Sequence, residues 1–132
     1  YTVHICQLLR SRGCKIIVIA CNTASSYATK AAQDACPDIK IIDVVNPVIR
    51  YAKEHLKDKT VGVIGTKGTI DSRIYPRRLK QKVPGLKVKT MATPLLASMV
   101  EEGFFNNNIS AVVVAPRHIC LISFIITHLK LN

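Results

Sequence analysis

The sequence predicts an α/β protein in which parallel strands are covered by helices. An apolar run before Cys21, at residues 15–20, is rich in β-branched residues and lacks polar alternation, which is typical of a strand buried on both faces. A second run, at residues 60–65, also predicts a strand. Each run is followed by a stretch of helical composition, at residues 23–36 and from residue 70 onward. Strands that alternate with helices in this way form parallel sheets.

The first half of the chain divides into short, well-punctuated elements. Ile5, Leu8 and Leu9 recur at helical spacing over residues 2–12, and Gly13 is suited to end that helix. The predicted elements that follow are a strand over 15–20, a helix over 23–36, a strand over 39–45 closed by Asn46-Pro47, and a helix over 48–56.

The second half continues the alternation with less regular boundaries. Pro76 cannot sit inside a helix at low cost, so we expect a kink or a restart there. The predicted elements are a strand over 60–65, helical sequence from 70, a strand over 86–90, a helix over 95–102, a loop at 106–108 and a fifth strand over 109–115. Periodicity does not separate helix from strand over 118–131.

Composition narrows the class of protein. The chain has 132 residues, 48% of them hydrophobic and 20% charged, which is typical of one folded domain. Its longest apolar run, residues 119–126, is too short to span a membrane, and we expect no membrane association. The net charge of +11 concentrates between residues 73 and 89, but no nucleic-acid motif accompanies it, so we expect a solvated basic face.

The cysteines indicate a reducing compartment. There are five, an odd number, and none forms a CxxC pair. This favours the cytoplasm over a disulfide scaffold, and the absence of a Cys-His cluster argues against a zinc site.

Cys21 lies where the first predicted strand passes into its helix. Ligands bind at the carboxyl ends of strands in open parallel sheets, and a thiol at a helix start faces the positive end of its dipole, which favours the thiolate. The alternatives are a buried structural cysteine and, for the polar residues after it, helix capping. A cap needs one such residue, whereas four are present: Asn22, Thr23, Ser25 and Ser26.

A second strand-to-helix junction, TKGT at residues 66–69, repeats this arrangement. Glycine lets the backbone approach a ligand, and exposed N–H groups with threonine hydroxyls can hold an anion. The segment matches neither the phosphate-loop nor the dinucleotide fingerprint. An ordinary turn between strand and helix is the alternative.

Three segments carry a resemblance to a known family. Residues 17–25 (IVIACNTAS) resemble the first catalytic-cysteine motif of bacterial glutamate racemases. Residues 61–66 (VGVIGT), with Gly68, Thr69, Ser72 and Tyr75 after them, resemble the start of that family's second half. The segments PLL (94–96) and VEEG (100–103) agree with a later part. The resemblance covers residues 5–105 and lies within the aspartate/glutamate racemase superfamily.

The resemblance implies flavodoxin-like racemase lobes and a cofactor-independent isomerase. Such an enzyme interconverts L- and D-glutamate with two thiols, one on each face of the substrate, and supplies D-glutamate for peptidoglycan synthesis, cell-wall biogenesis and cell shape. The implied residues are Cys21 as acid or base, Asn22 and Thr23 on the substrate's amino and carboxylate groups, Thr66 and Thr69 as further substrate contacts, and Glu101 as an acid/base helper. No metal is implied, and a homodimer is an assembly that the resemblance leaves open.

The sequence departs from the family at two places. It lacks the family's opening Asp-Ser-Gly loop and the later Gly-Cys-Thr-His motif that carries the second cysteine, and the neighbours of Cys120 do not match that motif. We therefore expect a fragment with two incomplete lobes, over residues 1–46 and 60–115, a connecting helix over 47–59 and an unmatched tail over 116–132. Impaired activity is expected, and the alternatives are an aspartate or other racemase of the superfamily or a non-catalytic α/β remnant.

Overall fold

The structure, a computed structural model, describes residues 1–101, in which helices alternate with strands. In chain order the elements are α1 (Thr2–Ser11), β1 (Ile16–Ile19), α2 (Asn22–Ala35), β2 (Lys40–Asp43), α3 (Val45–His55), β3 (Thr60–Gly65), α4 (Lys67–Asp71), α5 (Ile74–Lys82), β4 (Lys87–Ala92) and α6 (Leu96–Glu101). None of these helices is long and apolar enough to cross a membrane.

The described strands form two separate parallel pairs. In one pair β1 lies beside β2, with Ile16 opposite Lys40. In the other pair β3 lies beside β4, with Thr60 opposite Lys87. Parallel neighbours require a crossover connection, and helices provide it in both pairs. The predicted α/β architecture with helix-covered parallel strands is confirmed.

The first unit, comprising α1, β1, α2 and β2, has its own small core. Cys6 from α1 and Ile17 and Ile19 from β1 pack against Ala32 of α2, which is completely buried. Small residues on α2, Ala24 and Ala35 among them, border this core and let the helix lie close to the strands. The first unit therefore buries one face of its strand pair beneath two helices.

The second unit, comprising α3, β3, α4, α5 and β4, has the larger core. Its fully buried residues include Val45 and Ala52 from α3 and Leu79 from α5. Val61 and Val63 of β3 pack in the same cluster. The division into residues 1–46, 47–59 and 60–115 stays a prediction, while α3 packs with the second unit.

The expectation that the first strand is buried on both faces is wrong. Ile17 and Ile19 are buried, but Ile16 and Val18 on the opposite face are each 59% exposed. An apolar run shows only that both faces of a strand are suited to burial. Whether the second face is covered depends on the elements that pack against it. By contrast, β3 is buried from Val61 through Ile64.

Two helices, α3 and α4, begin three residues earlier than predicted. α3 begins at Val45 and not at residue 48, so Pro47 lies in its first turn, where a missing backbone N–H costs little. Its start is held by Asp43, whose Oδ1 accepts hydrogen bonds from the N–H groups of Val45 and Asn46 at 2.9 and 2.7 Å. α4 begins at Lys67 and not at residue 70, because Thr66 caps it.

The predicted restart near Pro76 is confirmed, but the break lies earlier. α4 and α5 are separated at Arg73, whose φ of 53° is left-handed, and Pro76 lies in the first turn of α5. Gly13 takes a φ of 88° just after α1, as expected of a residue that ends a helix. The predicted loop at 106–108 and strand at 109–115 lie outside the described residues.

Candidate active site

Cys21 connects β1 to α2 and has an exposed side chain. Its backbone is extended (φ −86°, ψ 124°), and its carbonyl accepts the first helical hydrogen bond from the N–H of Ser25 at 2.8 Å. It therefore occupies the position of a helix cap, yet no side-chain hydrogen bond caps α2. Of the four described cysteines, Cys6 and Cys36 are buried and Cys14 is half-buried, so Cys21 is the thiol that faces solvent.

The polar residues after Cys21 divide into two groups. Ser25 is buried and its hydroxyl donates to the carbonyl of Ile19 at 2.9 Å, while the Ser26 hydroxyl donates to the carbonyl of Asn22 at 2.7 Å. These serines satisfy backbone groups at the strand-to-helix junction. Asn22 and Thr23 instead point toward the second unit, where both make side-chain hydrogen bonds.

Three threonine hydroxyls meet between the two units and form what we call the hydroxyl triangle: Thr23, Thr66 and Thr69. The Thr23 Oγ1 lies 2.9 Å from the Thr66 Oγ1 and 3.0 Å from the Thr69 Oγ1, and the third side is 3.1 Å. The Thr66 Oγ1 also accepts the N–H of Thr69 at 3.3 Å and so caps α4. Because hydroxyl protons rotate, the cluster can present either donors or acceptors to a ligand.

Gly68 allows this close approach. A Cβ at position 68 would lie 2.9 Å from the Thr23 Cγ2, which is shorter than real Cβ contacts allow. The Tyr27 hydroxyl donates to the Gly68 carbonyl at 3.2 Å and adds a second link between α2 and α4. The glycine in TKGT is thus needed for packing between units, whereas the sequence suggested ligand approach or a turn.

Tyr75 is a site neighbour that sequence reasoning quoted only within the family motif. Its hydroxyl donates to the Asn22 Oδ1, although its ring is buried in the core of the second unit. Burial, followed by the negative charge of Asp43, raises the pKa of Tyr75 to about 12. The phenol therefore keeps the proton that it donates to Asn22 well above the neutral range.

Asp43 is a second residue that the sequence analysis passed over. It is 4% exposed, ends β2 and caps α3, and its Oδ2 accepts from the Asn46 Nδ2 at 2.8 Å. Arg78 approaches the same oxygen at 3.9 Å and donates to the Asn46 Oδ1 at 2.7 Å. A polar residue after an apolar strand and before Asn-Pro is a capping signal that could have been recognised.

Two further features are not part of the hydroxyl triangle. An open cleft of about 400 Å³ is lined by Ile70, Asp71, Arg73, Pro76, Val88 and Thr90. Glu101 is the last residue of α6, and its side chain lies outside the described part of the chain, as do Cys120 and the predicted tail. Within residues 1–101 no group of three or more His, Cys, Asp or Glu side chains could hold a metal ion.

Comparison with known proteins supplies the family. The profile described as Asp/Glu/Hydantoin racemase matches residues 1–114. The chain belongs to this racemase family. The match also corrects the sequence analysis, because it extends beyond the 5–105 range that the motifs indicated and reaches residue 114.

Curated relatives of this chain include two bacterial glutamate racemases. The one from Geobacter metallireducens is 38% identical over 110 residues, which cover 83% of this chain and 40% of the relative. The one from Sulfurihydrogenibium sp. is 43% identical over 98 residues, which cover 74% of this chain and 37% of the relative. The chain thus spans about two fifths of the length of these relatives.

Solved structures agree with the assignment of the chain to this family. The chain is similar to glutamate racemase from Francisella tularensis, solved in complex with D-glutamate, with a TM-score of 0.75 and 33% identity over 84% of this chain and 41% of that chain. It is also similar to glutamate racemase from Aquifex pyrophilus, with a TM-score of 0.71 and 35% identity over 86% of this chain and 44% of that chain.

Proposed function

We propose that this chain carries one half of a glutamate racemase site, built around Cys21. The observation that carries the proposal is the meeting of Thr23, two residues after the exposed thiol, with Thr66 and Thr69 of the second unit. Two strand-to-helix junctions that are far apart in sequence thereby form one polar site. Membership of the racemase family and similarity to a racemase solved with D-glutamate support the choice of reaction and substrate.

The proposed chemistry is proton transfer at the α-carbon of glutamate without a cofactor. The Cys21 thiolate takes the α-proton, and the electron pair left on the α-carbon is delocalised into the substrate carboxylate. Reprotonation from the opposite face by a second acid gives the other enantiomer, whereas return of a proton from Cys21 restores the first. A positioned proton-transfer group contributes about 10²–10⁴-fold to such a step.

The polar neighbours hold the substrate in this proposal. Asn22 and Thr23 bind the amino and carboxylate groups, and Thr66 and Thr69 contact the substrate from the second unit. Hydroxyl and amide groups suit this task because they can donate to a carboxylate or accept from an ammonium. Glu101 is proposed as an acid/base helper on the strength of the family resemblance alone.

The lack of the second-cysteine motif limits the reaction that we expect from residues 1–132. The Gly-Cys-Thr-His motif is not in this sequence, and we assign no catalytic role to Cys120. We therefore expect α-proton exchange with little inversion. In the cell, we propose supply of D-glutamate for peptidoglycan in the cytoplasm, in keeping with the free thiols among the described residues.

Solvent exchange tests this proposal. Because a base on one face of the substrate reaches the α-proton of only one enantiomer, purified chain is incubated separately with L-glutamate and with D-glutamate in D₂O. The loss of the α-proton signal is followed by NMR, and the opposite enantiomer is assayed in parallel. Exchange of one enantiomer with little inversion is the expected result. Substantial inversion would show that a second acid exists in this chain, and absence of exchange with both enantiomers would contradict the proposed function.

Parallel incubations with L-aspartate and with D-aspartate test the choice of substrate. Glutamate is one methylene longer, and a difference of that size in a fitted site is worth about 10–200-fold. Exchange that is faster with aspartate would replace glutamate by aspartate in the proposal. Exchange with neither amino acid would favour a non-catalytic remnant of the family.

A further inference from the structure

The ring of Tyr75 packs in the core of the second unit, and its hydroxyl contacts the first unit. The side chain leaves the first turn of α5 and packs in the same core as Ile74 and Leu79, with 6% of its surface exposed. Its hydroxyl crosses to Asn22, the first residue of α2 and the neighbour of Cys21 in sequence. A rigid aromatic ring thus extends from the second core to the edge of the candidate site.

The hydrogen bond fixes which end of the Asn22 amide is available. An asparagine side chain offers one oxygen acceptor and one NH₂ donor at opposite ends of a planar group. The Tyr75 hydroxyl occupies the Asn22 Oδ1, so the Nδ2 is directed away from the phenol. Among residues 1–101 the Nδ2 of Asn22 makes no side-chain or backbone hydrogen bond of its own, and it is the end left for a ligand.

The direction of donation follows from the atom that faces the phenol. A neutral hydroxyl can donate or accept, whereas a phenolate could only accept, and because the Asn22 Oδ1 faces the phenol the hydroxyl is the donor. Burial and the charge of Asp43 raise the pKa of Tyr75 to about 12, which keeps the proton that this hydrogen bond needs well above neutral pH. The raised pKa is therefore compatible with the orientation of Asn22 that the geometry shows.

We propose that Tyr75 is a positioning residue for substrate binding, which holds Asn22 so that its Nδ2 donates to the carboxylate of the bound amino acid. The proposal rests on the proposed function and names a residue that acts through Asn22 without touching the substrate itself. Holding a side chain in its binding orientation before the ligand arrives removes part of the ordering cost of binding.

The test compares two tyrosines that link the same two units. Tyr75→Phe removes only the hydroxyl that holds Asn22, and Tyr27→Phe removes the hydroxyl that donates to the Gly68 carbonyl. The α-proton exchange is measured as a function of glutamate concentration, with the enantiomer that the unaltered chain exchanges. We expect Tyr75→Phe to raise KM about tenfold with kcat changed less than about twofold, because the contact acts on ground state and transition state alike. Tyr27→Phe is expected to leave both constants unchanged.

A double variant separates positioning from a general structural role. Asn22→Ala alone should raise KM at least as much as Tyr75→Phe, and adding Tyr75→Phe to Asn22→Ala should have no further effect on KM. A KM that is unchanged in Tyr75→Phe, or effects that add in full, would overturn the proposal while leaving the proposed function intact. If the unaltered chain gives no exchange, the proposed function fails by its own assay and this inference fails with it.

Discussion

The two strand-to-helix junctions differ in how they use the residue at the start of the helix. At the second junction the Thr66 hydroxyl accepts a hydrogen bond from the backbone N–H of Thr69 and caps α4. At the first junction Cys21 occupies the same position before α2, and no side-chain hydrogen bond caps that helix. A thiol is a poor cap, and the side chain stays exposed and uncommitted.

The comparison separates a structural junction from a chemical one. Helices commonly start with a residue whose side chain caps them, which stabilises the protein by about 1 kcal/mol. α2 is longer than α4 and yet lacks such a cap, so Cys21 at its start lowers stability with no structural benefit. Polar and strained positions that give up stability are typical of functional sites. The predictions below test this division of labour, from the largest expected effect to the smallest.

Cys21→Ser should raise the stability of the chain and slow α-proton exchange. Serine can cap α2 from the extended backbone conformation of this position, so we expect the free energy of unfolding to rise by about 0.5–1 kcal/mol. A hydroxyl is far too weak an acid to replace the thiolate, so α-proton exchange should fall at least about 100-fold. Urea unfolding and NMR exchange check the two effects.

Cys14→Ala is the matched control for that variant, because it removes a half-buried thiol outside the candidate site. It should leave α-proton exchange unchanged. Exchange that survives Cys21→Ser would remove Cys21 from the proposed mechanism, whatever happens to stability.

The stability of the chain should depend on the titration of Tyr75, whose hydroxyl links the two units. Its pKa is raised from 10.0 to about 12, because burial and Asp43 disfavour the phenolate in the folded chain. The contribution of Tyr75 to the free energy of unfolding is therefore fully present below pH 10 and is lost as the pH rises from 10 to 12. We expect the unaltered chain to lose about 2–3 kcal/mol relative to Tyr75→Phe over this range. Urea unfolding of both proteins at several pH values measures it, and parallel pH profiles would contradict the account.

Gly68→Ala should disturb the first junction from the second. The new methyl would lie 2.9 Å from the Thr23 Cγ2, and overpacking of this kind costs about 1–3 kcal/mol. We expect lower stability and a higher KM for glutamate exchange. Thr23→Ser removes the opposing methyl and keeps the hydroxyl, so it should restore much of both losses when combined with Gly68→Ala. Failure of this rescue would mean that the two side chains do not meet.

Thr66→Ala should show the structural character of the second junction. Loss of the cap on α4 is expected to lower the free energy of unfolding by about 1 kcal/mol, while Thr66→Ser keeps the hydroxyl and should stay near the original value. The exchange rate should fall less than in Cys21→Ser. A loss of exchange as large as that of Cys21→Ser would place the chemistry equally at both junctions.

Much of the fold could be predicted because its signals are local. The apolar runs gave the strands, and Gly13 marked the end of α1 at a φ of 88°. The exposed face of β1, with Ile16 and Val18, could not be predicted, because what covers a strand is decided by tertiary packing. The early start of α3 was missed although Asp43 and Pro47 carried the signal for it.

The candidate site could be predicted in part. The position of Cys21 at a strand end follows from the pattern of residues 15–36, whereas the roles proposed for Asn22 and Thr23 rest on the family resemblance and stay predictions. The meeting of Thr23 with Thr66 joins residues 43 positions apart, and the contact of Tyr75 with Asn22 joins residues 53 apart. No local periodicity encodes such contacts, so they emerge only from the fold.

The central claim is that both junctions build one glutamate site around Cys21, and alkylation of the thiols tests it most directly. The chain is treated with iodoacetamide with and without D-glutamate, and the rate of labelling at each cysteine is followed by peptide mass spectrometry. The account predicts that Cys21 reacts faster than the buried Cys6 and Cys36, and that D-glutamate slows Cys21 selectively while Cys14 is unaffected. Labelling of Cys21 that is indifferent to D-glutamate would contradict it.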